Sequence, residues 1–298
     1  MLLLTDAAHG PHFAFSDALP PSAMTAGADL SAESTHKLLG SLTQTSMLLA
    51  RGGRVSAERI RAASGIMQST SPNEVLLASL DAARAQMAEE GRGRLASAIR
   101  LAGELRRRIN EIEGLWSFGP EYMGTAGAAA LDPTKITVQV TGLGMTGFAA
   151  EEELRRRGIA CELADARNVL FLLSYADGER EAELLLAALR SMAQRNAPVC
   201  TSRGSETAFL ALPPLPETAL SPRDAYFARS ERIAAESAAG RTAAETIMFY
   251  PPGIPVLAPG DVIDQETLRY LRAMRAVGAH VVGAADMSLR TVTVIAEG

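Results

Sequence analysis

The first apolar run, Leu2-Leu3-Leu4, stops at Thr5-Asp6. That pattern reads as a buried strand delivering polar groups at its C-terminal end, where α/β sheets keep their ligands. Beyond a Pro- and Ser-rich loop at 16–27, residues 28–34 read as a short strand leading into Thr35-His36-Lys37. Residues 41–50 read as another strand region, closed by Arg51-Gly52-Gly53. Helical spacing then takes over. One helix begins at 56–63, a second starts at Ser71-Pro72-Asn73-Glu74 and covers 75–87, and a third runs over 92–112. The third has Leu95, Ile99, Leu101, Leu105, Ile109 and Ile112 as its expected buried set, with Arg100, Arg106, Arg107 and Arg108 on a solvated face.

A Gly- and Ala-containing linker at 119–130 ends the helical block. An αβ unit follows: strand 136–140, a glycine turn, helix 148–157, strands 159–163 and 169–175, helix 179–195. After a proline-rich junction at 212–216 come expected helices at 221–239 and 265–276, a Pro/Gly loop at 250–260 and a strand at 291–295. The chain therefore reads as α/β in three parts, 1–125, 126–212 and 217–298, with no internal repeat. A domain that opens on a core strand needs sheet neighbours, and none precedes this one, so a missing front is expected.

Composition narrows the class. The chain has 298 residues, of which 47% are apolar and 21% charged, the make-up of a globular protein rather than a disordered one. Its 29 basic and 34 acidic side chains give a net charge of −5 without a long basic block, which argues against a nucleic-acid partner. No apolar run is long enough for a membrane helix, and the start carries no basic segment, so neither a membrane span nor a signal peptide is expected. Cys161 and Cys200 form neither a disulfide framework nor a metal-binding CxxC pattern, and no metal site is expected. A reducing cytoplasm is the expected setting.

One count changes the picture. Only Lys37 and Lys135 are lysines; every other basic side chain is arginine. Arginine stays protonated and forms no Schiff base, whereas a lysine amine does. Chance survival is the plain alternative for either lysine alone. Three of the four histidines, His9, His12 and His36, lie in the first 36 residues together with Asp6 and Lys37. A strand-end aspartate and a lysine at a later strand–loop junction are what pyridoxal phosphate needs: an amine to hold its aldehyde and a carboxylate to keep its ring nitrogen protonated. Ser34 and Thr35 offer hydroxyls to a phosphate. For His12, an ordinary capping or core role stands beside any functional one.

A second motif competes. Gly142-Leu-Gly144-Met-Thr-Gly147 fits GxGxxG between a strand and a helix, with Glu162 and Asp165 about 20 residues on, as in a dinucleotide fingerprint. The strand at 169–175 follows too soon for a crossover helix, so a structural glycine turn is the competing reading.

Asp6-Ala7-Ala8-His9, Gly27-Ala28-Asp29, Ser34-Thr35-His36-Lys37-Leu38-Leu39 and Gln44-Thr45-Ser46-Met47 resemble the core of the Orn/Lys/Arg decarboxylases, fold type I pyridoxal phosphate enzymes, and their shorter arginine-decarboxylase-like branch in particular. Asp132-Pro-Thr-Lys135 with the glycine turn, and Glu162 to Leu170, resemble the family's small domain. Leu220-Ser-Pro-Arg-Asp224, Gly240-Arg241 and Tyr250-Pro-Pro-Gly-Ile-Pro255 with Pro259-Gly-Asp261 resemble its C-terminal domain. The resemblance implies the C-terminal part of an aminotransferase-like major domain, a small α/β domain and a C-terminal α+β decarboxylase domain. It also makes the GxGxxG a structural turn.

By the same resemblance Lys37 holds the cofactor as an imine, Asp6 pairs with the pyridinium nitrogen, and Ala8 leaves room beside the ring, with His9 next to it. Ser34 and His36 touch the phosphate, and His36 or Lys37 returns a proton after carbon dioxide leaves. Glu245 and Asp261 are candidates for the cationic tail of the substrate, with capping or solvated acids as the alternative. The implied reaction is decarboxylation of arginine first, then lysine or ornithine, in polyamine metabolism, by a homo-oligomer, dimer or higher. Ala7 and Asp261 stand where the family often carries glutamate. The family's front, with the rest of the sheet, a phosphate-binding loop and a ring-stacking residue, has no counterpart here, so weak cofactor binding is expected of this chain alone. Other readings are an aminotransferase or other lyase on the same fold, an NAD(P)-binding oxidoreductase using the glycine turn, and a non-catalytic partner subunit.

Overall fold

The computed structural model describes residues 1–125, 127–196, 212–250 and 252–297; Cys200 and Pro251 lie outside the described residues. The chain divides into two compact units.

The first unit holds Met1–Arg108, Phe118–Ile136 and Leu172–Leu186. Its sheet pairs β1 (Leu4–Asp6) in parallel with β2 (Leu30–Glu33), and β2 antiparallel with β3 (Met47–Ala50). The register sets Asp6 beside Ala32 and Glu33 beside Met47. A single helical turn, α1 (Thr35–Leu38), follows β2 directly. In α2 (Ala57–Met67) the Ser56 hydroxyl caps the first turn by accepting the Arg59 N–H, yet no residue of this helix is buried.

The two helices expected over 75–87 and 92–112 are one, α3 (Glu74–Ile109), of 36 residues. Asn73 starts it by accepting the N–H groups of Val75 and Leu76. Nothing stops it before Ile109, because the interior contains glycines but no proline, and burial outweighs the modest helix cost of glycine. Met87 and Leu95 of α3 pack with Leu19, Leu39 and Ala83, and Phe13, Phe15, Ile99 and Tyr175 border this cluster. The arginine face departs from expectation at one position. Arg106 is buried and donates to the carbonyls of Pro133 and Lys135, at 3.2 and 3.1 Å.

The second unit is built on Ile109–Ser117, Thr137–Phe171 and the described residues from Ala187 on. β4 (Lys135–Gln139), β5 (Leu163–Ala164) and β6 (Asn168–Leu172) form a sheet in the order β4-β6-β5. Its middle and edge strands alternate, burying Ile136, Val138, Val169 and Phe171. α4 (Gly147–Arg156) and α5 (Glu179–Arg195) are the helices of this segment, close to expectation, whereas the expected strand at 159–163 shrinks to the two residues of β5.

The expected helix at 221–239 ends after six residues, as α6 (Pro222–Phe227). The chain then extends into β7 (Ser230–Ala234), which pairs antiparallel with the C-terminal strand, setting Ser230 beside Ile295 and Ala234 beside Thr291. A tertiary partner here overrides local helix propensity. β8 (Ile247–Tyr250), β9 (Ile254–Leu257), α7 (Gln265–Ala276), β10 (His280–Val282) and β11 (Thr291–Ile295) complete the unit. β8 lies between β10 and β9, antiparallel to both.

Candidate active site

Asp6 is the last residue of β1, and its carboxylate accepts the N–H of Ala8 at 3.0 Å. The backbone turns sharply there. Ala7 N–H still reaches the Ala32 carbonyl at 2.9 Å, extending the β1–β2 ladder, and Gly10 N–H closes a turn onto Ala7 O at 2.8 Å. That turn brings His9 round, so its Nε2 lies 3.2 Å from the Lys37 Nζ.

Lys37 reaches the same place from β2 through α1, whose buried Leu38 and the following Leu39 fasten the turn to the core. Ser34 precedes the turn, and its hydroxyl makes no capping bond. His36 is fixed by its Nδ1, 2.7 Å from the carbonyl of Thr45. A carbonyl only accepts, so Nδ1 carries the proton and Nε2 is the atom left for a ligand or for proton exchange. Thr45 is itself held, its hydroxyl donating to Ser41 Oγ and Leu42 O at 2.7 and 2.6 Å.

Four of the expected site residues line one cavity of about 600 Å³, whereas His9 and His36 are not among its lining residues. Asp6, Ala8, Ser34 and Lys37 share its wall with Thr5, Glu33 and Ser46, and Leu4, Leu30, Ala32 and Leu48 make the rest. Glu33 was not singled out from the sequence, and Ser46 entered only as part of the Gln44-Thr45-Ser46-Met47 motif. Burial pushes the Glu33 carboxyl up from its ordinary range, partly offset by a hydrogen bond from Ser31 at 3.3 Å. Along β2 Glu33 alternates with Ala32 and shares the buried face with Ser31.

The first 181 residues match the model of the Orn/Lys/Arg decarboxylase major domain, and residues 204–286 match that of the family's C-terminal domain. The chain belongs to the Orn/Lys/Arg decarboxylase family. An arginine decarboxylase of Halalkalibacterium halodurans is 45% identical over 99% of this chain, and one of Bacillus subtilis is 42% identical over 99%. The chain spans about 60% of the length of these curated relatives. The solved constitutive lysine decarboxylase of Escherichia coli shares the decarboxylase fold, with a TM-score of 0.79 and 23% identity over 98% of this chain and 54% of that one. The fold is thus that of the family's major domain followed by its C-terminal domain.

The remaining candidates of the decarboxylase reading sit in the second unit and are already engaged. Glu245 accepts the backbone N–H groups of Ala285 and Thr293, both at 2.6 Å, and Asp261 accepts that of Ala258 at 2.9 Å. The glycine turn is equally structural. Gly144 has a left-handed φ of 68°, and a Cβ at Gly147 would fall 2.1 Å from the Asn168 carbonyl oxygen and 2.3 Å from that of Asp165. β5 pairs antiparallel with β6, so the parallel crossover of a dinucleotide fold does not follow it. Among the described residues there is no cluster of metal-binding side chains, and no helix is long and apolar enough to cross a membrane.

Proposed function

We propose that this chain carries the imine-forming half of a pyridoxal phosphate-dependent decarboxylase of basic amino acids, arginine first and lysine or ornithine next. The observation that carries the reading is the meeting of Lys37, Asp6 and Ser34 on one cavity wall, delivered by two parallel strands at their C-terminal ends. The donor set fits the cofactor. Lys37 supplies an amine for the aldehyde, Asp6 a carboxylate for the ring nitrogen, Ser34 a hydroxyl for the phosphate, and Ala8 a small side chain beside the ring. When bound, pyridoxal phosphate supplies an electron sink for the electrons left as carbon dioxide departs.

The residues of this chain then divide the remaining work. Asp6 would be the carboxylate that pairs with the ring nitrogen. His9 holds the Lys37 Nζ in place across 3.2 Å and forms one edge of the site. His36, locked by Thr45 at its Nδ1, offers Nε2 either to the phosphate or as the proton carrier at the substrate Cα. The product amine belongs to polyamine metabolism. A cytoplasmic homo-oligomer is part of the same proposal, supported by the family resemblance, and so is a three-part organisation at 1–125, 126–212 and 217–298. Glu245 and Asp261 stay candidates for the substrate tail only if they exchange their backbone partners for it.

Incubation with pyridoxal phosphate, reduction with borohydride and peptide mapping test the reading, followed by assay of arginine, lysine and ornithine for carbon dioxide against keto-acid release. A label on Lys37 with carbon dioxide from arginine is the expected result. A label on Lys135 alone, or none at millimolar cofactor, overturns it, and keto-acid release would make the chain a transaminase.

A further inference from the structure

Outside the cavity, one buried pair is left over by the mechanism. His12 and Asp132 have side chains only 3% and 7% exposed, with His12 Nε2 3.1 Å from the Asp132 carboxylate. Asp132 is itself a fixed post. It accepts the Thr134 N–H at 3.0 Å and the Thr134 hydroxyl at 2.6 Å, and Lys135 Nζ lies 3.3 Å away. The other ring nitrogen of His12, Nδ1, is buried with no hydrogen-bond partner among the described residues. An apolar residue would fill this space without burying a bare nitrogen, so space-filling does not account for a histidine here. What an imidazole adds is direction: one bond, aimed at one carboxylate.

That bond ends a segment that begins in the site. Between Ala7, tied to Ala32, and His12, tied to Asp132, the chain makes two successive turns, with Gly10 N–H on Ala7 O and Phe13 N–H on Gly10 O at 3.0 Å. His9 stands between the two anchors. A short segment pinned at both ends leaves its middle residue few conformations. We propose that His12 is a positioning residue: its buried bond to Asp132 fixes the turn that holds His9 against the Lys37 amine. The bearing of this on catalysis rests on the reading of Lys37 above, whereas the placement itself does not.

Two lysines make the test direct. Reductive methylation with ¹³C-formaldehyde gives two dimethyl-lysine signals beside that of the N-terminus, and Lys37→Arg assigns them. His9→Phe defines the shift that follows when His9 no longer faces Lys37. His12→Phe, which keeps ring volume and removes the bond to Asp132, should move the Lys37 signal the same way. It should also change the rate of Lys37 acylation about threefold or more. The double variant should add nothing beyond His9→Phe, the non-additivity expected of coupled residues. His12→Gln, which retains a donor for Asp132, should restore the signal in part. Should His12→Phe not fold, Asp132→Leu removes the acceptor and gives the same comparison. A Lys37 signal unmoved in a folded variant, or effects of His9→Phe and His12→Phe that simply add, would overturn the proposal. No cofactor is needed, so a failure of borohydride labelling would sink the decarboxylase reading and leave this one standing.

Discussion

The two lysines of this chain sit in surroundings of nearly the same composition and opposite character. Lys37 is exposed, has a histidine at 3.2 Å, and shares an open cavity with an aspartate. Lys135 also has an aspartate at 3.3 Å, and that aspartate bonds a histidine, but here both carboxylate oxygens are engaged. The same three residue types therefore line an open cavity in one place, where the proposal puts the reactive amine, and form a strut in the other. The difference lies in how completely hydrogen bonds are satisfied and how much water is excluded. An amine beside an open cavity has room for a ligand; one paired with a fully engaged carboxylate ties two pieces of chain together.

The sharpest break in that comparison comes from removing each amine. Lys37→Ala should abolish cofactor trapping and cut carbon dioxide release by about a thousandfold, the loss typical of a residue that acts covalently. Lys135→Ala should leave trapping on Lys37 intact. Equal losses from both would erase the distinction.

Next in size is the strut. Asp132→Ala leaves His12 and Lys135 without their shared carboxylate and should cost about 3 kcal/mol of stability in chemical denaturation. The pH dependence follows from the same cluster. Burial alone raises the Asp132 carboxyl, but hydrogen bonds from His12 and Thr134 and the charge of Lys135 outweigh it and leave the group well below its usual range. A folded value below the unfolded one of about 4 means that the stabilisation is complete above that pH and is lost as pH falls toward the folded value. Melting temperatures of the native chain and of Asp132→Asn should thus stay apart above about pH 4 and draw together only as pH falls below it, toward the folded value. Parallel curves would show that the carboxylate does not titrate with folding.

The smallest effect is expected at Glu33 in the open cavity. Burial raises its carboxyl, so ionisation opposes folding above the unfolded value of about 4.3. Glu33→Gln should therefore stabilise the chain at neutral pH, by about 0.5 kcal/mol, with the gain fading in acid. A loss of stability would reveal a cation beside Glu33.

Local patterning made much of this legible. The helices at 179–195 and 265–276 and the strand at 291–295 follow from periodicity, because each buries one face in register with its own spacing. The residues of the Lys37 site were legible as chemistry, since few amines and a strand-end carboxylate restrict what a site can do. Residues 230–234 were not. Their sequence tolerates a helix, and only pairing with β11 makes them a strand. Arg106 looked like a surface charge for a similar reason. Helix spacing places it beside Arg107 and Arg108, and only the carbonyls of Pro133 and Lys135 explain its burial.

The sequence by itself determined the class of the fold, the lysine to watch and the family, because these depend on residue types at short spacing. Tertiary structure decided the rest. It brought His9 to Lys37 from 28 residues away and Asp132 to His12 from 120, and it turned the His36 Nδ1 toward Thr45. It also committed Glu245 and Asp261 to backbone amides. Which polar group ends up saturated and which is left open depends on partners distant along the chain, and the spacing of residues in a sequence carries no record of them.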